Sequence, residues 1–132
     1  MEKTILQPEN FPVTTAPYYS WGVKVKEPKT FLFLAGSGAL DLDGNVVGVG
    51  DPEKQTRKTM ENIEKVLKAG GATLKDIVKL TVYLTSIDYV AAQQKVRSEI
   101  FKENPPASTL VVVQKLLKPE MLIEIEALAV LG

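Results

Sequence analysis

Two carboxylates stand within an otherwise aliphatic stretch near the end of the chain, where residues 121–131 read MLIEIEALAVL. Alternate side chains of an extended segment share a face, so Glu124 and Glu126 fall together with Leu122 and Leu128. Such a carboxylate is either solvated at an edge or held in a partly dry site, where burial raises its pKa. In the dry site such a carboxylate would act as a general base, and at an edge it is a solvated or ion-paired strand residue.

The residue types that are missing narrow the chemistry further. The chain contains no Cys and no His, which excludes thiolate nucleophiles, disulfides, Ser–His triads and ordinary zinc sites. Carboxylates, tyrosines, lysines, hydroxyls, backbone amides and bound water remain as functional groups. We therefore predict no metal site.

Length and charge describe an ordinary globular chain. Its 132 residues, of which 45% are hydrophobic, predict a single domain over residues 1–132. Sixteen basic residues balance sixteen acidic ones, which argues against nucleic-acid binding, since that requires clustered Lys and Arg. The N-terminal sequence has no apolar core like that of a signal peptide, and no apolar run approaches a membrane span. We expect a cytoplasmic protein without membrane contact.

The elements that must position these groups begin with strands. Residues 4–6 predict a short edge strand, and residues 18–26 alternate as a strand with one wet face. The tight turn at 27–29 joins this strand to the apolar residues 30–35, which predicts a hairpin. Directly afterwards come Ser37 and Gly38, in a segment where backbone can approach another group closely; the same residues also fit a β-bulge.

A helix follows between strong start and stop signals. Asp51 and Pro52 predict its first turn, and Gly70-Gly71 predicts its end. Residues at helical spacing predict its buried stripe: Thr56, Thr59, Met60, Ile63, Val66 and Leu67.

The second half of the chain repeats the strand–helix alternation. Residues 77–85 alternate as a strand, and a second helix is predicted from Ser86 or Asp88 to about Glu103. Its predicted inner positions are Tyr89, Ala92, Val96 and Ile100, with Phe101 beside them. Residues 109–117 read as a strand covered on both faces, joined through the turn at 118–120 to the strand 121–131.

This order predicts a mixed sheet with both helices on one face, because two strand–helix–strand crossovers should share the same hand. The other face would then be uncovered and would expose an apolar patch too large for a monomer. We expect that face to be buried against copies of the same chain, leaving clefts between subunits.

Short motifs along nearly the whole chain resemble the YjgF/RidA family of reactive-intermediate deaminases, also known as endoribonuclease L-PSP proteins. The motifs are Tyr19-Ser20 with Gly22-Val23, Ser37-Gly38, Gln55-Thr56-Arg57 with Asn62, Gly70-Gly71-Ala72 with Leu74, TVYLT at 81–85, Pro106-Ala107 and IEIEA at 123–127. The resemblance implies an α+β, chorismate-mutase-like fold and a homotrimer of barrel-like form with three intersubunit clefts. It also implies hydrolysis of enamine and imine intermediates without a cofactor.

The resemblance assigns roles to individual positions. Glu124 corresponds to the catalytic, water-handling Glu, and Tyr19, Ser37 and Gly38 correspond to cleft residues. The cleft Asn of the second helix falls on Gln94, or on Gln93 in the neighbouring register.

One position departs from the pattern. The signature arginine that pairs with the substrate carboxylate falls on Ser108, because the chain reads Pro-Ala-Ser instead of Pro-Ala-Arg. A lone hydroxyl cannot replace a bidentate guanidinium. The main alternatives are therefore a hydrolase for imines that lack a carboxylate and a metabolite-binding or regulatory trimer without turnover. A chaperone-like or RNA-directed role is a weaker third.

Overall fold

The computed structural model describes residues 1–14, 16 and 18–132. In this part of the chain the elements are β1 (Glu2–Leu6), β2 (Gly22–Lys26), β3 (Thr30–Ser37), α1 (Pro52–Ala69), β4 (Ile77–Leu84), α2 (Val90–Ile100), β5 (Ala107–Val112) and β6 (Ile123–Leu131). Single turns of 3-10 helix at Leu74–Asp76 and Ile87–Tyr89 precede β4 and α2.

Four of the strands form a mixed sheet in the order β3-β6-β4-β5. Strand β6 is antiparallel to both β3 and β4, whereas β4 and β5 are parallel. Helix α1 connects β3 to β4, and α2 connects β4 to β5. The predicted mixed sheet with two strand–helix–strand crossovers is therefore confirmed.

The core lies between one face of the sheet and the two helices. Strands β4 and β6 alternate between buried and half-buried positions, as the alternating sequence predicts. Their inward side chains join one cluster with Met60, Ile63 and Leu67 of α1 and Val96 of α2. No helix in the described residues is long and apolar enough to span a membrane.

Helix α1 begins and ends where its capping residues predict. The Asp51 carboxylate accepts the backbone N–H of Lys54 at 3.0 Å, and Gly71 after the C-terminus has φ +77°. The predicted stripe needs one correction: Val66 is 50% exposed, whereas Gln55 is fully buried. Gln55 is inside because its amide binds backbone groups that would otherwise have no partner, as described below.

The predicted hairpin between the second and third strands is wrong. Strand β2 pairs with β1 in a separate two-stranded ribbon, and β3 pairs with β6. The reason lies at Ser20, whose N–H donates to Pro106 O at 3.0 Å and whose hydroxyl donates to Pro105 O at 2.9 Å. These bonds hold the start of β2 beside β5, at the edge of the sheet opposite β3.

The long strand predicted over residues 109–117 is also wrong. Strand β5 ends at Val112, and β4 separates it from β6, so the two strands do not pair. Leu117, in the connection that follows, is 89% exposed. The connection returns to the sheet through Gln55, whose amide binds Gly48 O, Glu120 O and Leu122 N at 3.1, 2.9 and 2.9 Å.

The sheet face opposite the helices carries large apolar side chains. The rings of Phe31 and Phe33 stack with centroids 6.4 Å apart, and Phe33 is 81% exposed. Among the described residues, neither helix covers them, since both helices pack on the other face.

Candidate functional site

Glu124 lies on the open face of the sheet. It pairs with Tyr83 of β4, while its neighbours Ile123 and Ile125 are buried on the helix side. Its side chain lies across the backbone of β3: a Cβ atom at Gly36 would be only 2.8 Å from Glu124 Cδ. A side chain at position 36 would press on the Glu124 carboxylate, so the glycine leaves room for the position that this carboxylate takes.

The pairing of β3 with β6 shifts register between Leu34 and Ser37, just before the Ser37-Gly38 pair for which the sequence left a bulge and a close backbone approach as alternatives. Ser37 pairs with Ile125 beyond the shift. The amide of Asn62 on α1 then holds the next segment by donating to Gly38 O at 2.9 Å and to Leu40 O at 3.0 Å. The structure therefore brings Ser37 beside β6, but the residue that contacts Glu124 is Gly36.

The two carboxylates of β6 differ in their partners. Glu126 accepts a hydrogen bond of 2.7 Å from the Tyr83 hydroxyl, and this bond raises the pKa of Tyr83 above its ordinary value. Within the described residues Glu124 forms neither a side-chain hydrogen bond nor an ion pair. Glu124 thus remains available to water or a ligand. Our sequence analysis missed Tyr83, although the alternation of β4 already puts it on the open face.

Ser108 lies on the other face of the same sheet. It pairs with Leu80, which is buried against the helices, and Tyr83, the partner of Glu124, follows three residues later on β4. Two strand spacings and three residues along a strand put Ser108 and Glu124 roughly 14 Å apart in the plane of the sheet. These two predicted site residues do not meet within one chain.

Ser108 has a cationic neighbour that our sequence analysis did not find. Arg97 of α2 donates from Nη2 to Ser108 Oγ at 2.9 Å and to the backbone oxygen of Tyr18 at 3.2 Å. Its Nη1 donates to Gln93 Oε1 at 3.2 Å, and its guanidinium lies 5.3 Å from the centre of the Tyr18 ring. A guanidinium therefore lies directly beside Ser108.

Arg97 is 1% exposed, which is rare for a charged side chain. Within the described residues it forms no ion pair, and its Nε has no hydrogen-bond partner. Burial lowers the pKa of Arg97 well below its ordinary value, to about 10, so it stays protonated at neutral pH. A shift of this size corresponds to about 3 kcal/mol of destabilisation.

The sequence predicted Ala92 and Val96 on the inner face of α2 and missed two polar residues there. Gln93 and Arg97 are both buried, and they are four residues apart, on one side of the helix. Of the two alternatives for the cleft amide, Gln93 contacts the guanidinium, whereas Gln94 is only half-buried. The helical spacing of Gln93 and Arg97 next to Val96 could have indicated that they are buried. Polar residues are, however, ordinarily assigned to the outer face of a helix.

Tyr19 belongs to an aromatic cluster at the start of β2. Its ring centroid lies 5.4 Å from that of Tyr18 and 5.9 Å from that of Trp21. It borders a cavity of about 450 Å³ whose lining includes Ser20 and Lys102 but not Glu124. The predicted site residues therefore form two groups in one chain, one around Glu124 and one around Ser108 and the tyrosines.

The described residues contain no group of three or more acidic side chains arranged to hold a metal ion. The chemistry that the geometry offers is thus a carboxylate on one face and a buried guanidinium with a hydroxyl on the other.

Comparison with known proteins gives a consistent set of relatives. The sequence profile of the endoribonuclease L-PSP family matches residues 9–131. A RutC family protein of Pyrococcus abyssi is 39% identical over 129 residues, covering 98% of each chain. The 3-aminoacrylate deaminase RutC of Acinetobacter baylyi is 38% identical over 130 residues, again covering 98% of each.

Solved structures share the fold over the full length. A Rid family protein of unknown function from Yersinia pestis superposes with a TM-score of 0.89 at 32% identity, covering 99% of this chain and 100% of that one. A putative endoribonuclease from Thermotoga maritima superposes with a TM-score of 0.73 at 35% identity, covering 100% and 99%.

Proposed function

The chain belongs to the endoribonuclease L-PSP family, also called the YjgF/RidA family, and we propose that it hydrolyses a small enamine or imine to a carbonyl compound and ammonia. The observation that carries this proposal is the position of Glu124. Its carboxylate lies against the backbone of Gly36 and, within the described residues, accepts no hydrogen bond from another side chain. A relative of 38% identity is a deaminase of 3-aminoacrylate, which is an enamine.

The proposed reaction needs only a proton carrier and a water molecule. Protonation of the enamine on carbon gives the iminium ion, which returns one nitrogen proton to the carrier and becomes the imine. Glu124 takes a proton from water while the water oxygen bonds to the imine carbon, and the electron pair of the C=N bond moves to nitrogen, which receives that proton. In the resulting carbinolamine the hydroxyl proton passes through Glu124 to nitrogen, the C–N bond breaks and C=O forms. The balance is imine plus water to carbonyl compound plus ammonia, with the carboxylate regenerated.

The proposal includes a homotrimer whose small-molecule clefts lie between subunits. Glu124 and Ser108 lie on opposite faces of one chain's sheet, so a cleft lined by both requires a second copy. The exposed rings of Phe31 and Phe33, on the same open face as Glu124, would supply apolar contact area.

A second candidate function is metabolite binding without turnover. The observation in its favour is Ser108, which stands where the family signature has an arginine. A cleft altered at this position could retain a ligand and still lack the transition-state contacts that accelerate hydrolysis.

The experiment measures ammonia release from imines generated by amino-acid oxidases from neutral and acidic amino acids. We expect Glu124→Gln to lower kcat by roughly 100-fold or more. Glu126→Gln is the matched control, because its side chain still accepts a hydrogen bond from Tyr83; it should change kcat only a few-fold. No rate above buffer with any substrate would refute the hydrolase, and stabilisation by 2-oxo acids in a thermal-shift assay would then favour the binding protein.

The assembly is tested separately by light scattering of the purified protein. We expect the mass of three chains, and a lower mass for Phe33→Lys. A monomeric wild-type protein would contradict the intersubunit cleft.

A further inference from the structure

A cavity of about 620 Å³ lies between the β1–β2 ribbon and the rest of the domain. Its volume is within the range of roughly 300–1,000 Å³ in which proteins bind small organic molecules. The ribbon forms one wall, and the other walls come from residues 74–78 and from residues 100–104 at the end of α2 and beyond. Neither Glu124 nor Ser108 borders this space, so it is separate from both groups of predicted site residues.

The ribbon crosses this space between two points of attachment. At one end Lys3 Nζ donates to Lys75 O at 3.2 Å, and at the other the hydrogen bonds of Ser20 hold the ribbon beside β5. Between them Ile5 and Val23 are directly paired, both are half-buried and both border the cavity. An apolar ribbon face therefore covers the domain without filling the space beneath it.

The lining of the cavity is mainly aliphatic. Besides Ile5 and Val23, its apolar side chains are Leu74, Ile77, Val78, Ile100 and Phe101. Among the described lining residues, Phe101 is the single aromatic ring. Water against such walls finds few hydrogen-bond partners, so a hydrocarbon chain that replaces it gains the free energy of burying apolar surface. Branched aliphatic walls favour a flexible alkyl chain over a flat ring system.

The charged groups that border the cavity are predominantly basic. They are the ammonium groups of Lys3, Lys75 and Lys102 and the carboxylates of Asp76 and Glu103. The Asp76 carboxylate already accepts hydrogen bonds from the N–H and the hydroxyl of Thr73, at 2.7 and 3.1 Å. Within the described residues none of the three ammonium groups forms an ion pair. Three positive charges against two negative ones leave a single positive charge for a ligand.

We propose that this cavity binds a medium-chain aliphatic monocarboxylate, with its alkyl chain between the ribbon and the domain and its carboxylate among the lysines. One carboxylate matches the excess of one positive charge better than a phosphate dianion does. A short 2-oxo acid lacks the apolar length that the walls would bury. The site does not depend on the proposed hydrolytic activity.

The competing interpretation is that the space holds only solvent beneath the ribbon. In that case an alkyl chain would add nothing to the affinity for a carboxylate. The proposed site requires both parts of the ligand, because the walls bind the chain and the lysines bind the charge.

The experiment is calorimetric binding of octanoate, 1-octanol and acetate to the intact protein. We expect octanoate to bind most tightly, 1-octanol more weakly and acetate not detectably at millimolar concentration. The double variant Lys75→Met/Lys102→Met should weaken octanoate binding by roughly 5- to 10-fold and 1-octanol binding by less than about 2-fold, since these exposed lysines act only on the charge.

The matched control is Lys65→Met/Lys68→Met, which removes two exposed lysines of α1 that do not border the cavity. It should leave both affinities unchanged. Equal losses in the two double variants would overturn the proposal, as would equal affinities for octanoate and acetate or no binding of octanoate to the wild-type protein.

The location is tested by methyl NMR during an octanoate titration. Signals of Val23 and Ile100 should shift in proportion to the bound fraction, whereas that of Ile63, which is buried in the core and does not border the cavity, should stay in place. An excess of 2-oxobutanoate, a probe for the cleft at Glu124, should not reverse these shifts. Binding without shifts at Val23 and Ile100, or displacement by 2-oxobutanoate, would refute this site while leaving the proposed hydrolase untouched.

Discussion

Arg97 Nη2 donates a hydrogen bond of 2.9 Å to Ser108 Oγ, which links α2 to the start of β5. The contact puts a guanidinium of α2 beside the residue to which the family resemblance assigns the signature arginine.

Replacing Arg97 by Met should leave the free energy of unfolding unchanged or raise it by about 1–3 kcal/mol, since a flexible apolar side chain removes an uncompensated buried charge. Urea unfolding measures the change. The surface variant Arg57→Met, which loses only exposed ion pairs, should stay within about 1 kcal/mol of wild type. A loss above about 2 kcal/mol in Arg97→Met would identify Arg97 as a structural link instead.

The same variant has an expected pH dependence. Because burial lowers the pKa of Arg97 to about 10, the unfolded chain binds more protons than the folded one above that pH. Wild-type stability relative to Arg97→Met should therefore rise as pH increases beyond about 10 and stay constant below it. Paired unfolding curves at several pH values test this, and a difference that is flat up to pH 12 would contradict the lowered pKa.

Tyr83 should ionise late in an alkaline titration. Its hydrogen bond to the Glu126 carboxylate raises its pKa, so the stability from this bond is present below the unfolded pKa and lost as pH rises through the folded one. Tyrosinate absorbance should lose a late-titrating component in Tyr83→Phe and shift it to lower pH in Glu126→Gln. Glu120→Gln, which changes a remote carboxylate, is the control. An identical shift of the tyrosinate titration in this variant would show that the hydrogen bond to Glu126 is not its cause.

Gly36→Ala should impair catalysis by displacing Glu124, because the added Cβ would lie 2.8 Å from its Cδ. We expect kcat to fall by about 10-fold or more, a loss typical of a misplaced catalytic group. Gly22→Ala is the matched control, since its Cβ would meet the Leu6 side chain, at 3.2 Å from Cδ1, and not Glu124. Unchanged turnover in Gly36→Ala would show that the position of Glu124 is not critical.

Gln55→Leu should destabilise the fold by about 2–5 kcal/mol, because it leaves buried backbone groups at Gly48, Glu120 and Leu122 without partners. Chemical denaturation provides the measurement. Gln114→Leu, at an exposed position of the connection before β6, should change stability by less than about 0.5 kcal/mol. Comparable effects of the two substitutions would count against Gln55 as the residue that holds this connection.

Signals between neighbouring residues predicted much of the fold. The Asp51-Pro52 start and the Gly70-Gly71 end of α1 and the alternation of β6 are all found in the structure. Each depends on local backbone geometry or on the two-residue period of a strand. Both can be recognised from neighbouring residues in the sequence.

The partners of β2 and β5 and the burial of Arg97 were not predictable in this way. The start of β2 is held by Ser20, whose partner Pro105 is 85 residues away, and Arg97 binds the backbone of Tyr18 across 79 residues. A tight turn favours a hairpin locally, but these distant hydrogen bonds direct the strand to the opposite edge of the sheet.

The amino-acid sequence alone determined the element types, their order and the residues of β6 that face the core, because periodicity and capping are properties of adjacent positions. Only the tertiary structure decided that Ser108 and Glu124 lie on opposite faces and that Arg97 lies behind Ser108. Those relationships depend on which strands pair and on which buried polar groups find partners, and both are set by packing between segments far apart in the chain.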